Sequence, residues 1–278
     1  ELEHHSTLLP WRKIANETGT QLKIIPVRNG RISISEAKKI IDTTTSVVIV
    51  SHVSNVFGTV QPIREIATLT HRAGAHLIVD GAQAVAHMKV APWTLGADAY
   101  VFSGHKMYAP FGSGVLIGSK EFFDRSLPYQ IGGGNLPYIT RDLKIKRFNT
   151  VLAHDPGTPN ALGAIAIAAS MSVLNSLNYF KIMEYESALV EDAYDTLRKI
   201  DGVTLYVSKE TLGSLGSVLP FDIDGFNHYL VAEVLAQEYG IGVRAGSFCT
   251  HELLRKMKHV SDDDDRHIAA EVDCGITR

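Results

Sequence analysis

Apolar runs of strand length alternate with segments of helical period between residues 22 and 117, and no other feature constrains the fold as strongly. Leu22 to Val27, Val47 to Val50, Leu77 to Val79, Tyr100 to Phe102 and Val115 to Ile117 read as strands. Between them, Ser33-Ile34-Ser35-Glu36 has the spacing of a capping box. Pro62 to Ala73 carries Ile63, Ile66, Ala67 and Leu69 on a helical period until Gly74 stops it. Strand and helix in alternation predict an α/β fold: a mostly parallel sheet with helices on both faces. Further on, the pattern predicts a helix from Asn160, a long amphipathic helix from Tyr179 to Ile200 and short strands at Thr204 to Val207 and Ser217 to Phe221. A helix from Asn227 to Glu238 and a strand from Ile241 to Arg244 follow. These later elements predict a smaller α+β domain, dividing the chain into residues 1–172 and 173–278.

Composition narrows the function classes. With 45% hydrophobic residues in 278, the chain builds a sizeable core. A net charge of -3, with no basic run interleaved with aromatics, argues against nucleic acid as a partner. No stretch approaches the roughly eighteen uninterrupted apolar residues of a membrane helix, and Glu1 onward has no signal-peptide pattern, so no membrane association is expected. Cys249 and Cys274 are too few for a disulfide framework, which implies a reducing compartment, the cytoplasm or an organelle matrix. No Cys or His cluster has zinc spacing, and no metal is expected. Gly132-Gly133-Gly134 and Gly112-Ser113-Gly114 lack the strand–helix context of a dinucleotide site. The run Asp262 to Asp265 reads as a solvated loop.

The chemistry concentrates in two places. Val79-Asp80-Gly81-Ala82-Gln83 and Val101-Phe102-Ser103-Gly104-His105-Lys106 each follow an apolar run that reads as a buried parallel strand. A lone Lys after a strand is usually a solvated end, and a lone Asp there is usually a turn or a helix cap. Together, at one sheet edge where α/β folds bind ligands, they suit pyridoxal 5'-phosphate. The Lys amine can form an imine with its aldehyde, the Asp carboxylate can pair with the pyridinium nitrogen, and Gln83 can donate to the ring hydroxyl.

The sequence resembles the class V aminotransferase family of fold-type I pyridoxal phosphate enzymes, and within it the SufS/NifS-type cysteine desulfurases. The likeness runs from Glu3-His4-His5 and Leu9-Pro10-Trp11 through Ser51-His52-Val53-Ser54-Asn55-Val56-Phe57-Gly58. It continues through the Asp80 and Lys106 motifs and Gly157-Thr158-Pro159-Asn160 to Val243-Arg244-Ala245-Gly246 and Cys249. The motifs stand in the family's order at nearly its spacing, and the resemblance implies a sheet of the seven-stranded type.

The resemblance implies roles residue by residue. His4 would stack on the cofactor ring and pass protons, although Leu2-Glu3-His4-His5 alone has the look of a tag. Asn55 would hydrogen-bond the ring hydroxyl or the substrate carboxylate; taken alone it reads equally well as a turn residue. Ser103 and His105 would donate to phosphate oxygens. Thr158 would reach the phosphate in a neighbouring subunit, which implies a homodimer. Arg244, expected at a strand end, would clamp the substrate carboxylate. Cys249 would accept sulfur as a persulfide while alanine is released, against the alternative of an inert packing cysteine.

The sequence also departs from the family's pattern. Relatives carry a phosphate-binding Gly/Thr turn upstream of the position of Glu1, and an Arg-Ala-Ser motif with a second carboxylate-binding Arg after the Cys, so both domains are expected to be incomplete. Arg255 and Arg278 are the candidates to replace that Arg. Gly246-Ser247-Phe248-Cys249-Thr250-His251 differs from the His-rich form usual in SufS-type enzymes. The expected activity is a cysteine desulfurase acting on L-cysteine or a close analogue, with a sulfur-acceptor protein as a partner and iron–sulfur cluster assembly as its setting. The alternatives are another class V activity (selenocysteine lyase, epimerase or aminotransferase) or a non-catalytic scaffold on the same fold.

Overall fold

The structure is a computed structural model that describes residues 1–148, 150–212 and 218–261. Ser217, the run Asp262 to Asp265, Cys274 and Arg278, all considered above, lie outside the described residues. The chain forms two compact units, Ile25–Phe221 on one hand and Glu1–Ile24 with the residues from Asp222 onward on the other. The division expected at 172/173 falls inside the continuous helix Ala161–Ser176. That helix is tied to the sheet-bearing unit, where the Ser170 hydroxyl donates to the Met107 carbonyl.

In chain order the labelled elements are α1 (His5–Thr18), β1 (Val27–Arg28), β2 (Arg31–Ile32), α2 (Ile34–Ile40), β3 (Val47–Ser51), α3 (Ile63–Arg72), β4 (His76–Asp80), β5 (Ala99–Ser103) and β6 (Gly114–Gly118). The central sheet of the Ile25–Phe221 unit runs in the order β3-β4-β5-β6. β3, β4 and β5 are parallel, with Ser51 opposite Asp80 and Asp80 opposite Val101. β6 runs antiparallel to β5, pairing Ser103 with Gly114. The short link Gly104 to Ser113 accounts for this reversal, since a parallel crossover needs a dozen or more residues. Among the described residues the sheet therefore has four strands and is mostly parallel, as expected, with one antiparallel edge strand; the resemblance implied the seven-stranded type.

Local signals account for the flanking helices. The Ser33 hydroxyl accepts from the Glu36 N–H at 3.4 Å and starts α2. α3 begins after Pro62 and buries Ile63, Ile66, Ala67 and Thr70 on one face. The Asn160 side chain accepts from the Gly163 N–H at 2.9 Å and caps Ala161–Ser176, and Asn178 caps the helix Tyr179–Leu197 in the same way. The core of the sheet is formed by Val48, Val50, Leu77, Val79, Ala99 and Tyr100, all buried.

Four expected strands differ, and in place of the one expected at Ser217 to Phe221, whose first residue lies outside the described residues, a strand is observed at Phe221–Ile223. Of Leu22 to Val27 only Val27 enters a strand, the short hairpin β1–β2, because Pro26 has no N–H to give a ladder and its carbonyl instead accepts from Ser33. The strand expected at Thr204 to Val207 is observed at Val203–Leu205. Ile241 to Arg244 is irregular: it follows the left-handed cap Gly240, and no strand pairs with it among the described residues. No single helix among the described residues is long and apolar enough to cross a membrane.

Candidate active site

Three adjacent parallel strands end at one edge of the sheet, and each carries expected site residues at its last position or in the segment that follows. Neighbouring strands lie about 4.8 Å apart, so the shared register of Ser51, Asp80 and Val101 sets the chain segments that follow β3, β4 and β5 side by side. Asn55, Asp80, Gln83, Ser103, His105 and Lys106 all belong to this edge.

The loop after β3 is built to hold Asn55. The Ser54 hydroxyl accepts from the N–H groups of Val56 and Phe57, the Ser54 N–H donates to Thr59, and the Gly58 N–H returns to the Ser54 carbonyl at 2.9 Å. Val53 bridges Val60, and Gln61, 3% exposed, joins the carbonyls of Gly30 and Thr59 to the Ile32 N–H. Asn55 itself is half-buried. Its loop is thus a closed, hydrogen-bonded turn, which favours a fixed side chain over a mobile one.

Asp80 ends β4. Its Oδ1 accepts the Ala82 N–H at 2.9 Å, and the next turn, with Ala84 N–H on the Gly81 carbonyl, carries the half-buried Gln83. After β5 the chain enters a short 3-10 turn, Gly104–Met107, which holds Lys106, half-buried, and His105, exposed. Gly104 lies so close to the helix Ala161–Ser176 that a Cβ there would stand 2.9 Å from the Ser113 hydroxyl and 3.0 Å from Ile167. The close approach fixes the turn that presents Lys106. The Ser103 hydroxyl and His105 Nδ1 are 2.7 Å apart. One amine, one carboxylate, two carboxamides, a hydroxyl and an imidazole therefore share one sheet edge, a donor set suited to an anionic, aromatic ligand with a carbonyl to be captured.

Thr158 is exposed in the turn Gly157 to Asn160. Asn160 Nδ2 donates to the Phe111 carbonyl at 2.8 Å, and the Gly157 N–H donates to the Gly133 carbonyl at 2.6 Å. The tri-glycine segment is organised by Asn135, fully buried, whose amide bonds Gly132, Gln130 and Ala153. The cleft lined by Leu177, Ile182, Tyr185, Leu189 and Leu219 in this unit is mainly apolar and contains none of the expected site residues.

His4, Arg244 and Cys249 belong to the other unit. His4 caps α1, its carbonyl accepting from Thr7 and Leu8 and its Nδ1 from the Ser6 N–H at 3.2 Å. Cys249 is exposed on a tight loop, and both Phe248 (φ 51) and Cys249 (φ 54) take left-handed backbone conformations that such residues seldom adopt. The Ser247 carbonyl, accepting the Thr250 N–H at 2.9 Å, closes this loop. The Arg244 guanidinium lies 5.3 Å from the centre of the Phe248 ring. Arg244 is exposed on irregular chain, not at the expected strand end. Arg255 lies in the helix His251–Met257.

Sequence reasoning missed His52 and Tyr100. Both are buried, 4% and 1% exposed, and His52 Nδ1 is 2.9 Å from the Tyr100 hydroxyl. The His52 N–H donates to the Asp80 carbonyl at 2.7 Å. Burial lowers the His52 pKa to about 4 and raises that of Tyr100, with the Asp80 charge adding to the latter. Their signal in the sequence was a polar ring directly after the apolar run of β3 and a phenol inside the run of β5.

Comparison with known proteins gives these features a lineage. The chain is 37% identical over 256 residues to a protein of Halalkalibacterium halodurans named probable cysteine desulfurase, covering 91% of this chain and 61% of that protein. Its fold matches the cysteine desulfurase of Thermococcus onnurineus NA1 with a TM-score of 0.86 at 33% identity, over 92% of this chain and 63% of that one. The cysteine desulfurase CsdA of Escherichia coli matches with the same TM-score at 30% identity. The chain thus spans about three fifths of the length of these relatives, and its architecture is the α/β fold-type I arrangement. The family signature described as "Aminotransferase class-V" matches residues 1–262, and the chain belongs to that family.

Proposed function

We propose that the protein bearing this chain is a pyridoxal 5'-phosphate-dependent cysteine desulfurase that converts L-cysteine to L-alanine and leaves the sulfur as a persulfide on Cys249. The observation that carries the reading is the set Asn55, Asp80, Gln83 and Lys106 at the joined ends of β3, β4 and β5. The likeness to proteins named cysteine desulfurase supports the substrate.

When bound, the cofactor supplies an electron sink for charge developing at the substrate α-carbon. Lys106 would hold the cofactor through its amine and would move the substrate α-proton, with His4 as a second proton carrier. Asp80 would pair with the ring nitrogen, and Gln83 and Asn55 would hydrogen-bond the ring hydroxyl. Ser103 and His105 would bind phosphate oxygens. Thr158 would serve the phosphate of a second copy in a homodimer. Arg244 orients the substrate carboxylate by a paired N–H fork. The Cys249 thiolate attacks the substrate sulfur; an S–S bond forms, the C–S bond breaks, and the carbon fragment takes up protons and leaves as alanine. The sulfur then passes to an acceptor protein, in a reducing compartment such as the cytoplasm, toward iron–sulfur cluster assembly.

The test is incubation of the full-length, cofactor-loaded protein with L-cysteine. Equal amounts of alanine and protein-bound persulfide are expected. Release of pyruvate, transfer of the amino group to a keto acid, or selenocysteine-only turnover would assign another class V activity. A protein that takes up no cofactor would be a scaffold.

A further inference from the structure

We propose that His52 and Tyr100 form a buried positioning pair for Asp80, locking the carboxylate that faces the cofactor's ring nitrogen; this rests on the cofactor reading above. The pair grips the Asp80–Gly81 step from two sides. On one side the His52 N–H donates to the Asp80 carbonyl at 2.7 Å, extending the β3–β4 ladder one residue past Ser51 opposite Asp80. On the other, the Tyr100 ring lies over Gly81 so closely that a Cβ on Gly81 would stand 2.0 Å from Cε1 and 2.1 Å from the hydroxyl oxygen. The two grips are joined by the 2.9 Å contact between His52 Nδ1 and the Tyr100 hydroxyl, with the rings edge to face at 5.9 Å.

Two polar rings in the interior of a sheet need a reason, because a buried imidazole or phenol left unpaired is destabilising. Here each satisfies the other, and both are neutral at physiological pH: burial disfavours the imidazolium of His52, and burial together with the nearby Asp80 charge disfavours the phenolate of Tyr100. A neutral pair next to Asp80 adds no competing charge, so the carboxylate keeps its full electrostatic effect for the ring nitrogen. Carboxylate position matters because a misdirected Oδ weakens the ion pair that keeps that nitrogen protonated. Neither ring need touch the cofactor, so they are positioning residues and not catalytic ones.

The experiment uses the full-length protein with pyridoxal 5'-phosphate labelled with nitrogen-15, measuring the dissociation constant by fluorescence titration and the ring-nitrogen resonance by NMR. The parent is expected to show a protonated ring nitrogen, and Asp80→Asn to weaken binding and shift the resonance. Tyr100→Phe removes only the hydroxyl, and it is expected to weaken binding roughly fivefold to tenfold and to move the resonance toward the unprotonated value. His52→Asn, whose amide nitrogen takes the place of Nδ1, is expected to stay within about twofold of the parent, whereas His52→Gln, which mimics Nε2, is expected to behave like Tyr100→Phe. If Tyr100→Phe does not fold, the Asn and Gln variants decide by the same two readouts. Parental affinity and resonance in Tyr100→Phe and His52→Gln, beside a weakened Asp80→Asn, would overturn the pair and leave the cofactor reading standing. A parent or Asp80→Asn result showing no cofactor dependence on Asp80 would overturn both.

Discussion

The backbone N–H of His5 donates to the carbonyl of Cys249 at 2.8 Å, and the His251 N–H returns to His5 Nε2 at 3.3 Å. The start of α1 and the cysteine loop are thereby tied together within one unit, and the left-handed backbone of Phe248 and Cys249 is held from outside the loop. The bond to His5 uses the carbonyl of Cys249 and leaves its side chain for chemistry.

Cys249→Ser should therefore fold normally, with stability within about 0.5 kcal/mol of the parent, while losing protein-bound persulfide and at least about a hundredfold in alanine formation. Mass spectrometry of the intact protein after cysteine treatment reads the persulfide directly. Parental alanine production would reduce Cys249 to a surface thiol.

Lys106→Ala should abolish the visible absorbance that borohydride removes from the cofactor-loaded protein. Because Lys106 is only half-buried on a turn already held by Gly104 and Ser113, its loss should change stability by less than about 1 kcal/mol. Peptide mapping of the reduced parent should find the cofactor on Lys106; another lysine would refute the assignment.

Asp80→Asn retains an oxygen for the Ala82 N–H, so a mere turn role would tolerate it. If the carboxylate pairs with the ring nitrogen, turnover should fall about a hundredfold at unchanged melting temperature. A loss of only a few-fold would return Asp80 to a capping role.

Gly81→Ala should be among the most damaging small substitutions in the sheet, because its methyl group would be driven into the Tyr100 ring. A loss of about 1–3 kcal/mol or more is expected in urea unfolding. Parental stability would mean that Tyr100 can move aside, against its close packing.

His52 predicts a specific acid sensitivity. Its folded pKa, lowered from 6.5 to about 4 by burial, means that the unfolded chain binds a proton first as pH falls. The stabilisation from keeping His52 neutral is complete above pH 6.5 and is lost progressively between pH 6.5 and about 4, a total of ~3 kcal/mol. The parent should lose that much more stability over the window than His52→Asn, as read by denaturant unfolding at several pH values. Parallel pH profiles would contradict a buried neutral His52.

The sequence by itself determined the strands β3, β4, β5 and β6, because each is an apolar run of strand length, and the starts of α2, α3 and the helix Ala161–Ser176, because the caps Ser33 and Asn160 and the proline before α3 act within a few residues. It also marked Asp80, Lys106 and Asn55, since chemistry placed just after a buried strand has one place to go in an α/β fold. What only the tertiary structure decided depends on partners distant in the chain. The direction of β6 followed from how little chain links it to β5. The fate of Ile241 to Arg244 followed from the absence of a pairing strand among the described residues, a fact that no local pattern encodes. The union of α1 with the residues from Asp222 onward joins segments about two hundred residues apart in sequence. His52 and Tyr100 read locally as the end of one strand and the middle of another; they become a pair because the parallel register brings both to Asp80, and burial then makes each the other's required hydrogen-bond partner.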